Sequence, residues 1–278
     1  MRLLNRVGLN YAQQKRFTAE ASTFFTATGI TDPTQKTAVD YLVKQLKANN
    51  LYAKFSALYP FVGGSADTHK FNLINPADSD AAFRIVWSGS VTHDANGIKS
   101  NGTNGYGDTK YNPVAASANP SSFSYGVYKT GTNASGTSRI YFGCQDAPNA
   151  KYNIMGWLNS GLTEVATISA QAIPTGYTPD YLTPNAQTSG IISICCNGSR
   201  NAQFWGNGSK IGAAKAQLAT EFPNFPMFIL AANSAGTPSA YSLNNIIKLA
   251  YVSTGLSDAE MATLHTIITA YQTLLGRD

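Results

Sequence analysis

Charged side chains are scarce in this sequence. Only 13% of its 278 residues are charged, against roughly 25% in average globular domains, and the net charge is +5. No run of five lysines or arginines occurs, so we expect no nucleic-acid partner. Hydrophobic residues make up 43%, with 15 tyrosines and 13 phenylalanines, which excludes a disordered chain. Solubility must come from Asn, Ser, Thr and Gly, which is typical of β-sheets joined by tight turns.

Residues for catalysis and metal binding are also few. The three cysteines show no Cys-x-x-Cys spacing and cannot form a closed disulfide framework, so we expect buried, reduced thiols. With three histidines in addition, we expect no transition-metal site and no cofactor. Glycoside hydrolysis needs two positioned carboxylates, but Glu164 and Glu221 stand alone near predicted strands. No Gly-x-Ser-x-Gly motif occurs, and we predict a non-enzymatic protein.

Long hydrophobic runs are missing as well. No apolar stretch approaches the roughly 18 residues of a membrane-spanning helix, so we expect no membrane segment. The first residues, MRLLNRVGLNYAQQKRF, lack the continuous apolar core of a signal peptide. We therefore expect no cleaved secretory signal.

Helical patterns occur only towards the two ends. Near the start, Asp32 is an N-cap candidate and Pro33 follows in the first turn. The apolar stripe that comes next has helical spacing and consists of Val39, Leu42, Val43 and Leu46. A shorter stripe of the same spacing consists of Leu51, Phe55 and Leu58. These patterns predict a basic N-terminal arm over residues 1–30 and a helical connector over residues 31–62.

A capping box marks the start of a helix at the far end. In this motif the Ser257 hydroxyl accepts from the Glu260 amide, and the Glu260 side chain reaches back to the Ser257 amide. The apolar residues that follow at helical spacing are Leu264, Ile268, Tyr271 and Leu275. We predict an amphipathic helix over residues 257–275 that closes a domain beginning near residue 80.

Between the ends, apolar residues alternate with period two, as at Phe123, Tyr125 and Val127. Short apolar runs recur at 83–87, 191–196, 227–231 and 246–252, separated by Gly, Pro, Asn and Ser. Many short strands without intervening helices predict a mostly β fold, an antiparallel two-sheet jelly-roll sandwich over residues 80–278. Within it, Asn207 and Gly208 predict the tight turn of a hairpin.

The stretch SNGTNGYGDTKYNP, residues 100–113, is rich in glycine but lacks the Gly-Lys-Ser or Gly-Lys-Thr ending of a phosphate loop. It is better interpreted as a turn that leads into a strand. The upstream Asp94 to Gly97 lacks the further acids of an EF-hand, although a calcium ion held partly by backbone carbonyls is an open alternative.

Aromatic residues beside amides and acids are the types that stack on sugar rings and bind their hydroxyls. Three groups in the β domain have this composition. They are Tyr106 with Asp108 and Tyr111, then Tyr152 with Trp157, and finally Trp205 beside the Asn207 turn. We list these aromatic and acidic residues as candidate ligand contacts.

Four segments, in this order, resemble the laminin-G-like, concanavalin-A-like jelly roll of tailed bacteriophage structural proteins, particularly those of phages with Bacteroidetes-type hosts. They are YLVKQLKANNLYAKFSALYPFVGGSADTHKFNLINPADSDAAFRIVWSG, NGTNGYGDTKYNP, GIISICCNGSRNAQFWGNGSKIG and GLSDAEMATLHTIITAYQTLLGR. The resemblance covers residues 31–278. Asp108 falls where some relatives place an acid near a ligand or calcium ion, without the additional acids of a metal site.

The resemblance implies a virion protein that assembles in the host cytoplasm and stands on the particle surface as a capsid decoration, head fibre or tail component. The arm would bind other virion proteins, and the sandwich would present a face to host surface glycans. Aromatic-rich sandwiches with few charges leave apolar faces to cover, so we expect a homo-oligomer. The alternatives are a free glycan-binding lectin and a polysaccharide depolymerase. The sequence does not distinguish a head from a tail position.

Overall fold

Strands are the main regular secondary structure of the described chain. The structure, a computed structural model, describes residues 16–131, 138–146, 151–158, 163–166, 189–198, 201–216 and 221–278. The helices are α1 (Ala19–Thr28), α2 (Pro33–Ala48), α3 (Ala66–His69) and α4 (Asp258–Leu274). The strands are β1 (Phe55–Tyr59), β2 (Val86–Ser88), β3 (Val91–Asp94), β4 (Gly97–Ser100), β5 (Tyr106–Asp108), β6 (Ser122–Thr130), β7 (Arg139–Asp146), β8 (Lys151–Leu158), β9 (Thr163–Ala166), β10 (Ser189–Asn197), β11 (Asn201–Gly206), β12 (Ser209–Ala216), β13 (Phe228–Ile229), β14 (Ala232–Ser234), β15 (Thr237–Ser239) and β16 (Ile246–Ser253).

The strands form two sheets. The first sheet has the order β12-β11-β10-β6-β16-β4-β3, and β1 also pairs with β16. The second has the order β15-β14-β7-β13-β5-β2, and β8 and β9 continue it from β7. Neighbouring strands are antiparallel, apart from the parallel pairing of β14 with β7. With that exception, the predicted antiparallel jelly-roll sandwich with N-terminal helices and a C-terminal helix is confirmed.

The central strands of the first sheet, β6, β10 and β16, are buried on both faces. On β6, the alternating residues Phe123, Tyr125 and Val127 belong to the core between the two sheets. The opposite face of the sheet, including Tyr128 and Tyr251, packs against α1, α2 and α4. The protein therefore has three layers, with helices on one side of the first sheet and the second sheet on the other.

Two segments near the N-terminus differ from the sequence prediction. Residues 19–28 fall in the predicted arm but form α1, which is capped by Thr18 and buries Phe24 and Phe25. Residues 55–59 fall in the predicted helical connector but form β1. A β-bulge lies between Phe55 and Ala57, and the strand has apolar side chains buried on both faces, so it lacks the apolar–polar alternation of a half-exposed strand. The domain boundaries themselves stay a prediction.

Arg277 joins the end of α4 to the sandwich. Its guanidinium is buried, and burial lowers its pKa. It donates hydrogen bonds to the backbone carbonyls of Pro60, Phe61, Ala95 and Lys248 and to the side-chain oxygen of Gln272. One side chain therefore connects the chain after β1, the turn between β3 and β4, strand β16 and helix α4.

All three cysteines are buried, and none of them forms a disulfide bond. Burial raises the pKa of Cys195 to about 11, and burial also raises that of Cys144. Cys195 instead exchanges hydrogen bonds with the backbone of Leu256. None of the described helices is long and apolar enough to cross a membrane.

Candidate functional site

Tyr106 and Asp108 lie on the outer face of the second sheet. A side chain at Gly107, between them, would meet Ile85 and Trp87, so this position faces the core and its two neighbours face away from it. The Tyr106 ring packs 4.7 Å from the Phe228 ring. The Asp108 carboxylate forms an ion pair with Lys110 at 2.9 Å. Both side chains are half-buried, and their ligand-binding role stays a prediction.

Tyr111 is not available to a ligand, which corrects the sequence prediction. It is 2% exposed, and its ring lies 4.9 Å from the ring of Phe83. Tyr111 lies after the end of β5, beyond Lys110 with its φ of 58°, and its ring belongs to the core between the two sheets. The three residues that are close in sequence therefore do not share one surface.

Of the other predicted acids and aromatics, some have side chains outside the described residues. The side chains of Tyr152, Trp157 and Glu164 lie outside the described residues, although their backbones belong to β8 and β9. Glu221 is exposed and forms an ion pair with Lys151 at 2.6 Å, which lowers its pKa. Within the described residues, no group of three His, Cys, Asp or Glu side chains is placed to hold a metal ion.

Trp205 lies at the base of a pocket of about 190 Å³ on the helix side of the first sheet. The indole is only 4% exposed and packs in the core beneath the helices. We call this cavity the Trp205 pocket. Its polar lining comes from the ends of three strands and the start of α4, and consists of Asn197, Asn201, Gln203, Lys210 and Asp258.

Strand β11 places three of these residues side by side. Asn201, Gln203 and Trp205 alternate along the strand and therefore share one face. Gln203 also stabilises an irregular part of the β11–β12 pairing. The register between these two strands shifts between Ala202 and Phe204 of β11. The Gln203 side-chain amide donates to carbonyls of this region, including those of Ile211 and Gly212. The bulged strand thus fixes a side-chain amide next to the indole.

Lys210 covers the mouth of the pocket. Its ammonium lies 5.7 Å from the centre of the Trp205 ring and forms an ion pair with Asp258. Both charged side chains are about half exposed, so the pair contributes little to stability, typically about 1 kcal/mol or less. A ligand that stacks on the indole can displace Lys210 at small cost. The rim is exposed while the base is buried, as in many small-molecule sites.

The hairpin tip beside this pocket is the predicted Asn207–Gly208 turn. Asn207 and Gly208 have φ angles of 45° and 86°, and they connect Gly206 to its partner Ser209. The Gly208 N–H donates to Nδ1 of His265, on α4, at 2.7 Å. Because Nδ1 accepts, the proton of the neutral ring is on Nε2, which lies 2.9 Å from the Ser193 hydroxyl oxygen.

This tautomer determines what the Ser193–His265 pair can do. The imidazole donates to the serine oxygen, which is the reverse of the bond that a general base makes with a nucleophilic serine. Burial lowers the pKa of His265 to about 3, so the ring stays neutral. The pair is a buried structural connection between β10, the hairpin tip and α4.

The predicted helix cap is part of the same region. The Ser257 hydroxyl accepts from the Glu260 amide at 3.3 Å, and the Ser257 amide donates to the Glu260 carboxylate at 2.9 Å. Lys54 also binds this carboxylate at 2.6 Å, and that hydrogen bond is the main cause of its lowered pKa. The capping box thereby positions Asp258 at the rim of the Trp205 pocket.

Sequence inspection missed most of the pocket. It found Trp205 but not Asn201, Gln203, Lys210 or Asp258. Alternation along β11 was the available signal for Asn201 and Gln203. Asp258 is brought to the site by the packing of α4, across more than fifty residues of chain, for which the sequence carries no local signal.

No family model and no curated protein matches this chain. Solved structures do. A mutant of Trypanosoma rangeli sialidase displaying trans-sialidase activity is 12% identical, with a TM-score of 0.51, over 86% of this chain and 39% of the sialidase chain. The complex of that sialidase with 2,3-difluorosialic acid is 10% identical, with a TM-score of 0.51, over 83% and 38%. The likeness shows a shared fold.

Domain 4 of AbnA, a GH43 extracellular arabinanase from Geobacillus stearothermophilus, in complex with arabinotriose, is 11% identical, with a TM-score of 0.47. That match covers 76% of this chain and 98% of the domain. This chain spans about two fifths of the sialidase chains it matches.

Proposed function

We propose that this protein is a non-enzymatic carbohydrate-binding β-sandwich displayed on the surface of a virion. The observation that carries the binding proposal is the Trp205 pocket, which an indole and the amide side chains of Asn201 and Gln203 line together. An aromatic ring can stack on the apolar face of a sugar, while amides and charged groups bind its hydroxyls. A volume of about 190 Å³ suits one sugar unit rather than a large ligand.

A glycan array probed with the whole chain tests carbohydrate binding. We expect specific retention of a subset of glycans, without loss in the presence of EDTA, because the pocket lining contains a single carboxylate among its described residues. Release of reducing ends from the bound glycan would instead support the depolymerase alternative. In that case Glu164→Gln or Glu221→Gln should abolish the release, as the two-carboxylate chemistry requires.

The virion part of the proposal rests on the sequence resemblance and on the basic N-terminal arm. Deletion of residues 2–15 tests it, because this deletion stops before α1 and spares the buried Phe24 and Phe25. We expect the full chain to co-sediment with phage particles and the shortened chain to remain in the supernatant. Retention of both chains on particles would contradict a docking role for the arm. Retention of neither chain would contradict the virion role itself.

A further inference from the structure

A second depression lies along α4 on the same side of the first sheet. It has a volume of about 580 Å³ and we call it the α4 cleft. It lies between the middle of α4 and the beginning of β10. Its lining includes Tyr128, Ser189, Asn207, His265, Thr266 and Thr269.

The α4 cleft presents neutral hydrogen-bonding groups. Thr266, Thr269 and Thr273 follow one another at three- and four-residue spacing, so they form a row on one side of the helix. The Thr266 hydroxyl donates to the Ala262 carbonyl one turn earlier, which leaves its oxygen as an acceptor. The Thr273 hydroxyl lies within hydrogen-bonding distance of the Thr269 carbonyl and of the Asp278 carboxylate, at 3.2 and 3.0 Å. The described residues that line the cleft include no Asp, Glu, Lys or Arg.

The position of Asn207 in the cleft is built into the sheet. A side chain at Gly190 would approach the Asn207 amide to 2.0 Å, so only glycine allows this amide to lie across β10. Asn207 accepts from the Ile191 amide at 3.0 Å, which fixes its orientation. A rigid amide, a row of hydroxyls and the Tyr128 side chain therefore line the cleft.

The Trp205 pocket and the α4 cleft are neighbours along one helix. Asp258 lines the pocket and Thr273 lines the cleft, a separation of about 22 Å along the α4 axis. Between them lies the hydrogen bond from Gly208 to His265, and the rings of Trp205 and His265 are 6.4 Å apart. The two depressions therefore lie end to end along α4, on either side of this contact, and together they are longer than one sugar unit. We call the two together the track.

We propose that the track binds an extended, uncharged oligosaccharide, with one unit in the Trp205 pocket and further units in the α4 cleft. This inference rests on the proposed carbohydrate binding. Lys210 and Asp258 neutralise each other at the pocket, and the described lining of the cleft is uncharged. A carboxylated sugar could pair with Lys210 only by breaking its ion pair with Asp258, which would leave the Asp258 carboxylate unpaired beside the ligand, so neutral glycans are selected over acidic ones.

Isothermal titration calorimetry with a size ladder tests the proposal. The probes are oligosaccharides of increasing length cut from the neutral polysaccharide that the chain binds best, and a carboxylated oligomer of matching length. Ala270→Trp fills the α4 cleft, and Ala259→Trp, exposed on the first turn of the same helix, is the matched control. If Ala270→Trp folds poorly, Thr269→Trp, at an exposed position in the cleft, replaces it as the variant that fills the cleft.

For the wild type we expect affinity to rise with oligomer length by about tenfold or more, because added units gain contacts in the cleft. Ala270→Trp should remove this gain and leave the affinity for the single sugar unchanged, while Ala259→Trp should change neither. Affinity that is independent of length, equal behaviour of the two variants, or equal binding of the carboxylated oligomer would overturn the inference. If the wild type does not bind the single sugar, the proposed function is contradicted instead.

Discussion

The backbone N–H of Gly208 donates a 2.7 Å hydrogen bond to Nδ1 of the buried His265 side chain. This contact joins the tip of the β11–β12 hairpin to α4 at the boundary between the Trp205 pocket and the α4 cleft. It depends on a neutral imidazole, because a protonated ring has no acceptor nitrogen. The joint between hairpin and helix is therefore sensitive to acid.

Stability should fall as the pH drops below about 6.5. Burial lowers the pKa of His265 to about 3, whereas a histidine in the unfolded chain titrates near 6.5. The folded state then binds fewer protons than the unfolded state, so the free energy of unfolding decreases by up to about 1.4 kcal/mol per pH unit below 6.5. Thermal unfolding followed by circular dichroism between pH 7.5 and 5 measures this slope.

His69 should contribute in the same direction. Its Nε2 accepts from the Gly64 amide, its Nδ1 lies 3.1 Å from Nδ1 of His93, and burial lowers its pKa to about 3. His265→Gln should therefore reduce the dependence of stability on pH without removing it. The double variant His265→Gln, His69→Gln should reduce this dependence further. A melting temperature that is constant from pH 7.5 to 5 in the wild type would contradict the neutral, buried state of both rings.

Arg277 should be among the most sensitive positions for stability. Arg277→Ala leaves four backbone carbonyls and the Gln272 oxygen without their donor, and we expect a loss of about 3 kcal/mol or more. Arg277→Lys should recover part of the loss, because a lysine has fewer donors and no fork. Urea denaturation provides the free energies.

The matched control is Arg84→Ala. Its guanidinium binds two carboxylates, those of Asp78 and Asp80, on the exposed surface. We expect a much smaller change there, since exposed ion pairs are screened by water. Equal losses at Arg277 and Arg84 would show that Arg277 does not hold the layers together.

The capping box of α4 should matter more than that of α3. Ser257→Ala removes the hydroxyl acceptor for the Glu260 amide and should cost about 1 kcal/mol. Ser65→Ala removes the corresponding cap of α3, which has only four residues, and should cost less. Differential scanning calorimetry of both variants checks the order. A larger effect at Ser65 would contradict the role of α4 as a main packing element.

The sequence predicted those parts of the fold whose signals are local. Alternation at Phe123, Tyr125 and Val127 identified β6, and the spacing from Ser257 to Glu260 identified the start of α4. Phe55–Tyr59 was misassigned because a strand buried on both faces, with a bulge, imitates the spacing of a helical stripe. Likewise, α1 carries small and polar residues around Phe24 and Phe25, so its apolar stripe was too short to detect.

The candidate site was predicted only in outline. Trp205 could be named from its composition, but the layer that buries it and the helix that brings Asp258 to it come from long-range packing. Tyr111 was misassigned because it was grouped with its sequence neighbours, although β5 ends at Asp108 and the chain beyond it carries the Tyr111 ring into the core. The α4 cleft joins residues from β6, β10, the hairpin and α4, and no local pattern connects them.

Filling the Trp205 pocket tests the central claim most directly. Ala214 is exposed and lines the pocket, and its neighbour Ala213 is exposed on the same strand but does not line it. We predict that Ala214→Trp abolishes binding of the glycan selected on the array, measured by isothermal titration calorimetry, while Ala213→Trp binds as the wild type does. Undiminished binding by a folded Ala214→Trp variant, or loss of binding in Tyr106→Ala instead, would contradict the assignment of the site to this pocket.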